Sequence, residues 1–186
     1  MSTNNSFATK VVTGKIRGSY INLFVPRLSQ NAKPTDTPKY GMTILIPKSD
    51  TATVAKIRAA QEAAIDAKWP NKRPALIGST LNDGDGARPS SGEPFGPECA
   101  GHWVMAVSSK FLPKVIGMDK NEILDPSEVC SGDFFKVSIN FYAYDQSGKR
   151  GTSAGLNNVL FMEKGESLGG SSRAEDDFAD DFSKAA

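Results

Sequence analysis

The chain has 186 residues, 39% of them hydrophobic and 23% charged, enough for one domain with a proper core and at most a tail. No apolar run approaches the roughly 18 residues a membrane helix needs, the polar first ten residues carry no signal-peptide pattern, and two cysteines make no disulfide framework, so a reducing cytoplasm is the expected setting. The 22 basic and 21 acidic residues sum to +1, which does not exclude nucleic acid, because the distribution of charge matters more than its sum.

Residues 4–17 are expected to be extended: Val11, Val12, Thr13 and Ile16 favour a strand, and Gly14 inside the run predicts a bulge or sharp bend. A second strand is predicted over 19–25, ended by Pro26, and a loop over 29–38, which carries Asn31, Pro34, Asp36 and Pro38. A third strand, 40–46, places Tyr40, Met42, Ile44 and Ile46 on one face and stops at Pro47. The period then changes. Ser49 or Asp50 caps a helix running to about Trp69, with Val54, Ile57, Ala60, Ala64 and Ile65 on one stripe and Pro70 as the stop. Residues 81–97 are dense in Gly, Pro, Asp and Ser and predict a long mobile loop. Strands follow over 102–110 and 133–144, the second being the longest, and 146–151 predict a hairpin turn into a sixth strand near 154–163. The fold class is therefore mainly β with one long helix. The order matches an OB-fold, a five-stranded Greek-key barrel with its helix between strands three and four, plus an extra hairpin strand.

The strand over 133–144 is the most informative segment. Alternate residues point to opposite faces. Phe135, Val137, Ile139, Phe141 and Ala143 make one wholly apolar face, the core side. Phe134, Lys136, Ser138, Asn140, Tyr142 and Tyr144 make the other, which interleaves a cation, hydrogen-bonding groups and aromatics. Single-stranded nucleic acid asks for that mixture: bases stack on aromatic rings while cations neutralise the adjacent phosphates. Lys149 and Arg150 stand at the end of the same strand, Lys15 and Arg17 share a face of the first strand and are expected to flank the groove, and Lys33 and Lys39 border a loop able to close over a bound strand. The bland alternative is that the tyrosines line a second small core, or pack against another subunit in a structural or assembly protein.

Charge is split along the chain. Residues 1–165 carry 20 Lys and Arg against 15 Asp and Glu, a balance of +5; residues 166–186 carry 2 against 6, a balance of −4. The expected organisation is a binding domain over 1–165 and, over 166–186, a Gly/Ser linker at 169–172 followed by a disordered acidic tail. Glu175, Asp176, Asp177, Phe178, Asp180, Asp181 and Phe182 form a mobile anion with two aromatic anchors, suited to docking on partner proteins or on the chain's own basic groove.

Other chemistry is weak. Cys99 and His102 have a spacing compatible with zinc, but a structural site takes four ligands and only Cys130 and scattered carboxylates remain. As nucleophile and base the same pair lacks a group to orient the histidine. Residues 82–86, Asn-Asp-Gly-Asp-Gly, lack the EF-hand spacing and its terminal Glu. No catalytic constellation, metal or cofactor is expected, and an enzyme acting on DNA is disfavoured for want of a carboxylate cluster.

Several stretches together resemble a family of bacteriophage single-stranded DNA-binding proteins: Asp-Phe-Phe-Lys-Val-Ser-Ile-Asn-Phe-Tyr-Ala-Tyr at 133–144, Ala-Gly-Leu-Asn-Asn at 154–158, Glu-Ser-Leu-Gly-Gly at 166–170 and Ala-Glu-Asp-Asp-Phe at 174–178. Gly-Lys-Ile-Arg at 14–17 and the 40–47 strand are similar too. The resemblance implies an OB-fold, sequence-independent binding of single-stranded DNA, and work in phage replication or recombination in the cytoplasm of a bacterial host; weaker binding of duplex DNA is a variant that a basic groove does not forbid. It also implies a tail that recruits replication proteins and competes with DNA; self-association is a further expectation. One departure stands out. Ser183, Lys184, Ala185 and Ala186 follow Phe182, whereas such tails commonly end at or next to the aromatic residue.

Overall fold

A computed structural model describes residues 8–29 and 32–169. The Gly/Ser linker beyond Gly169 and the expected acidic tail, from Glu175 to Phe182, lie outside the described residues, as does the start of the first predicted strand. In chain order the elements are β1 (Lys10–Val12), β2 (Ile16–Arg27), β3 (Lys39–Pro47), α1 (Thr51–Lys68), β4 (Asn82–Asp83), β5 (His102–Ser109), β6 (Lys114–Ile116), β7 (Phe134–Gln146) and β8 (Lys149–Glu163).

Five of these strands close a ring. β7 pairs with β2, β2 with β3 and β3 with β5, all antiparallel; β5 runs parallel to β8, and β8 returns to β7 through a long antiparallel hairpin. The hairpin turns at Ser147 and Gly148, both with positive φ, the geometry that matches strand twist. Closure removes the exposed strand edges that would otherwise invite pairing with other chains. The ring interior is filled by alternate residues: Ile16, Ile44, Met105, Phe135 and Ile139 are fully buried, with Phe161 edge-on to Phe135.

α1 packs against β7, β1 and β8. The expected stripe is the buried one, extended by Thr53 and Gln61. Asp50 caps the helix, its carboxylate accepting from the Thr53 N–H at 3.0 Å. The Thr53 hydroxyl in turn accepts from the Gly14 N–H at 2.8 Å, docking the helix start on the bend between β1 and β2. A Cβ at Gly14 would stand 2.4 Å from an Asp50 carboxylate oxygen, so this close approach requires glycine.

Several boundaries differ from the sequence expectation. The first predicted strand breaks at 13–15, and the second begins at Ile16 and runs through Pro26 to Arg27. Pro26 is accommodated in the irregular stretch between the Asn22–Gly41 and Arg27–Lys39 pairs, where the ladder is already interrupted. Eight strands stand where six were expected, because β4 and β6 are too short to show a period and exist only through pairing with β5 and β8. The 81–97 stretch is not wholly loop: it contains β4 and an Ala87–Pro94 bridge, and a 3-10 turn at Pro97–Cys99 follows. Within the ring the helix links the second and third strands, β3 and β5, rather than the third and fourth.

The chain just beyond Gly165 is tied to the ring as far as Leu168. Asp133 is fully buried at the start of β7 and accepts from the N–H groups of Cys130 at 2.8 Å and Gly165 at 3.0 Å. Leu168 donates its N–H to the Ser131 carbonyl and packs beside Leu45, Cys99 and Val104 on the outside of the ring.

Candidate nucleic-acid interface

The exterior of the ring is organised by register, since cross-strand partners share a face. One row runs through Lys10, Asn140, Gly155, Ser108, Gly41 and Asn22, so it crosses β1, β7, β8, β5, β3 and β2. At about 4.8 Å per strand it is a contour of roughly 24 Å. Its middle members, Gly155, Ser108 and Gly41, are small, which makes the row a trough.

At the β7 end the trough is bordered by predicted residues. Tyr142 is half-exposed, with its ring reaching over Gly155. Lys136 lies two rows away, and Asn140 and Ser138 meet the Asn157 side-chain amide at 3.4 and 3.5 Å. A parallel row places Val12, Ser138, Asn158 and Lys114 side by side. Lys10, Lys114 and Lys136 form no ion pair with any described residue, so their charges are available to an anion. Sequence reasoning missed Lys10 and Lys114. Lys10 lies on the exposed side of a short strand beside Val12, a signal available in the alternation; Lys114 joins only through a parallel pairing across more than 40 positions.

At the other end the trough opens into a groove of about 1150 Å³ between the 28–37 and 88–99 segments, floored by Ser19, Thr43 and Ala106. Its aromatic members are Tyr20, Tyr40 and Phe95, and its cations are Arg27, Lys39, Arg88 and Lys110. The Arg88 guanidinium lies over the Phe95 ring at 5.3 Å. Lys39 was expected at this loop; Lys33 is exposed on the same connection, its N–H held by the Asp36 carboxylate. The groove wall at 83–101 is tied to β3 by Lys48, which bridges Asp83 and Asp85, each at 2.6 Å. That bridge raises the Lys48 pKa, chiefly through its hydrogen bond to Asp83, and holds both carboxyls below the ordinary aspartate value.

The remaining predicted residues are brought elsewhere. Phe134 is half-buried under Lys15 and Arg17, whose charged groups lie 4.9 and 5.9 Å from its ring centroid. Lys15 is ion-paired with Glu163, and Arg17 donates to the carbonyls of Gly132 at 3.1 Å and Glu166 at 2.6 Å. Their donors are thus engaged in holding the C-terminal segment against the ring. Arg150 is paired with Asp145 at 2.9 Å, while Lys149 is exposed at the hairpin. Tyr144 covers its cross-strand partner Gly151, where an added Cβ would meet the phenolic oxygen at 2.7 Å; it props the hairpin and offers less ring than Tyr142. Cys99 is buried, which pushes its thiol pKa up, and the His102 ring nitrogen Nδ1 lies 2.8 Å from the Ala100 carbonyl. Among the described residues no three His, Cys, Asp or Glu side chains gather as metal ligands, and no helix is long and apolar enough to cross a membrane.

Comparison with known proteins places this arrangement. Residues 9–185 match the family described as the Enterobacter phage Enc34 ssDNA-binding protein. Protein p50 of Acyrthosiphon pisum secondary endosymbiont phage 1 is 31% identical over 183 residues, which cover 92% of this chain and 95% of that protein. In fold, the chain is similar to the single-stranded DNA-binding protein of bacteriophage Enc34 solved in complex with ssDNA, with a TM-score of 0.74 at 23% identity over 87% of this chain and 90% of that one. It is also similar to gp2.5, a single-stranded DNA-binding protein encoded by bacteriophage T7, with a TM-score of 0.58 at 16% identity over 92% and 93% of the two chains. The chain belongs to the Enc34 ssDNA-binding protein family, a phage family named for binding rather than for catalysis.

Proposed function

We propose that this member of the Enc34 family binds single-stranded DNA without sequence preference, laying the strand along the trough that crosses β1 and the five strands of the ring. The observation that carries the reading is the row from Lys10 to Asn22: a small-residue floor with unpaired cations and exposed aromatics at both ends. Tyr142 offers a ring to any base, since stacking needs no base identity. Lys10, Lys136 and Lys114 neutralise phosphates at one end, and Lys39, Arg27 and Lys110 at the other, with Lys33 and Lys149 within reach of a longer strand. Asn140 supplies hydrogen bonds between them. Lys15, Arg17, Phe134 and Arg150 hold the frame instead. The ring order and its parallel β5–β8 closure support assigning the body to the OB-fold.

The acidic tail competes with DNA for the same groove and recruits replication or recombination proteins of the phage–host system. What supports this is the anchor at its base: Leu168 packs on the cluster of Leu45, Cys99 and Val104, and all three of these line the groove. The last described residues before the acidic segment thus pack against side chains that also line the groove. The test is a salt-dependent titration with single-stranded DNA, duplex DNA and RNA. Affinity for single-stranded DNA falls with salt, with a slope near −0.7 per phosphate neutralised. Binding to none of the three, at any salt, would leave a subunit-packing role for the tyrosine-bearing face. Deleting residues after Ser172 removes five carboxylates against two cations and tightens DNA binding; unchanged affinity rejects competition.

A further inference from the structure

Among the described residues three other than glycine have positive φ: Tyr20, Lys120 and Ser147. Lys120 and Ser147 sit in turns, where that backbone is ordinary. Tyr20 lies inside β2, with φ of +47°. It occupies a bulge: β2 spends three steps from Ser19 to Asn22 while β3 spends two from Thr43 to Gly41. A bulge residue in this conformation is ordinarily glycine, because a Cβ there crowds the following carbonyl. Tyr20 nevertheless carries a large ring, and the residue is 68% exposed, so it adds little packing in return. A residue that strains the backbone and buries almost nothing has no reason in stability to be tyrosine.

The bulge also decides where the ring goes. Tyr20 sits between Ser19, on the groove floor, and Asn22, the last member of the trough, and it lines the groove together with Arg27 and Lys39. Tyr142 is the exposed ring at the opposite end of the same trough. We infer that Tyr20 is a second base-stacking residue, held out over the β2 end of the trough by a strained bulge, so that the bound strand is gripped by one ring at each end. The inference rests on the proposed single-stranded DNA path and names a contact on it that the sequence pattern did not reveal. A stacked base is recognised by ring overlap alone, so the ligand is any nucleobase of a strand long enough to span from Tyr142 to Tyr20.

The test uses the full chain and homopolymeric single-stranded DNA oligonucleotides, short and long. Tyr20→Gly relieves the backbone and removes the ring; its thermal midpoint is unchanged or raised, while affinity for the long oligonucleotide falls about tenfold. Tyr20→Asn, which tolerates the same backbone, loses affinity similarly and guards against a folding defect peculiar to glycine. Tyr20→Trp places a fluorophore at the position, and its added emission is quenched on binding. Wild-type affinity in both Tyr20→Gly and Tyr20→Asn overturns the inference, as does a lowered thermal midpoint in both with unquenched emission in Tyr20→Trp, which would make the residue a packing element. Tyr142→Ala run in parallel separates the two levels. If it weakens binding while the Tyr20 variants do not, this inference alone fails; if the wild-type chain binds no single-stranded DNA, the proposed function fails and takes this inference with it.

Discussion

Two regions of the ring exterior carry the same residue types and use them in opposite ways. At the corner of Lys15, Arg17 and Phe134 the cations sit on the ring, pair with Glu163 or donate to carbonyls of Gly132 and Glu166, and are closed over by the chain at Gly165. On the face of Lys10, Lys136 and Tyr142 the cations have no acidic partner among the described residues and the tyrosine is half-exposed. An aromatic beside two cations is therefore not by itself a nucleic-acid site. What separates a staple from a binding surface is whether the charges and ring faces are already taken.

This contrast can be broken by experiment. The largest effect is expected at the staple: Asp133→Ala leaves the N–H groups of Cys130 and Gly165 without their buried acceptor, and should cost about 2–3 kcal/mol of stability in denaturant unfolding. A smaller loss would mean that the C-terminal segment contributes less to the body than its contacts suggest. On the open face, Tyr142→Ala should weaken single-stranded DNA binding by about tenfold with little change in stability. Lys136→Ala and Lys10→Ala should each lower the salt slope by about 0.7, because each removes one phosphate contact. Lys15→Ala sharpens the comparison: its ion pair is exposed, so stability changes by less than about 1 kcal/mol, and the salt slope stays as in the wild type. A slope that drops in Lys15→Ala as in Lys136→Ala would erase the distinction.

The smallest effect concerns the groove wall. Asp83 and Asp85 have folded-state pKa values depressed by Lys48. The stability they contribute is present above the ordinary aspartate value and is lost as pH falls through the depressed folded values. Lys48, raised by the same bridge, contributes stability that is full below its ordinary value and lost as pH rises through the raised one. The thermal midpoint of Lys48→Met should therefore fall less steeply than that of the wild type at the acid extreme, and the two should converge there. Parallel curves would show that the bridge does not fasten the wall.

Much of the fold was legible because its signals are local. The helix over Thr51–Lys68, its Asp50 cap and its buried stripe follow from spacing and capping chemistry. The split of β7 into a core face and a mixed face follows from strand alternation, and Phe135, Val137, Ile139 and Phe141 of the core half are buried as the pattern required, with Ala143 only partly covered. Pro26 misled because a proline ends a strand only where the neighbouring strand needs a backbone N–H donor at that position, and that is a property of pairing. The candidate site was legible at Lys136, Asn140 and Tyr142, was missed at Lys10 although the alternation carried its signal, and was illegible at Lys114 and Tyr20. Lys114 reaches the face through parallel pairing with Asn158, and Tyr20 through a one-residue excess against β3.

The sequence by itself determined which residues alternate, which stretch coils, and that a mildly basic body precedes an acidic end, since each depends on neighbours a few positions apart. Only the tertiary structure decided that the strands close into a ring, that Leu168 returns to pack on Leu45, Cys99 and Val104, and which cations remain unpaired among the described residues. The physical reason is that register and charge pairing are made between segments up to about 150 positions apart, as between Lys15 and Glu163. Whether a lysine is a staple or a ligand contact depends on what arrives beside it.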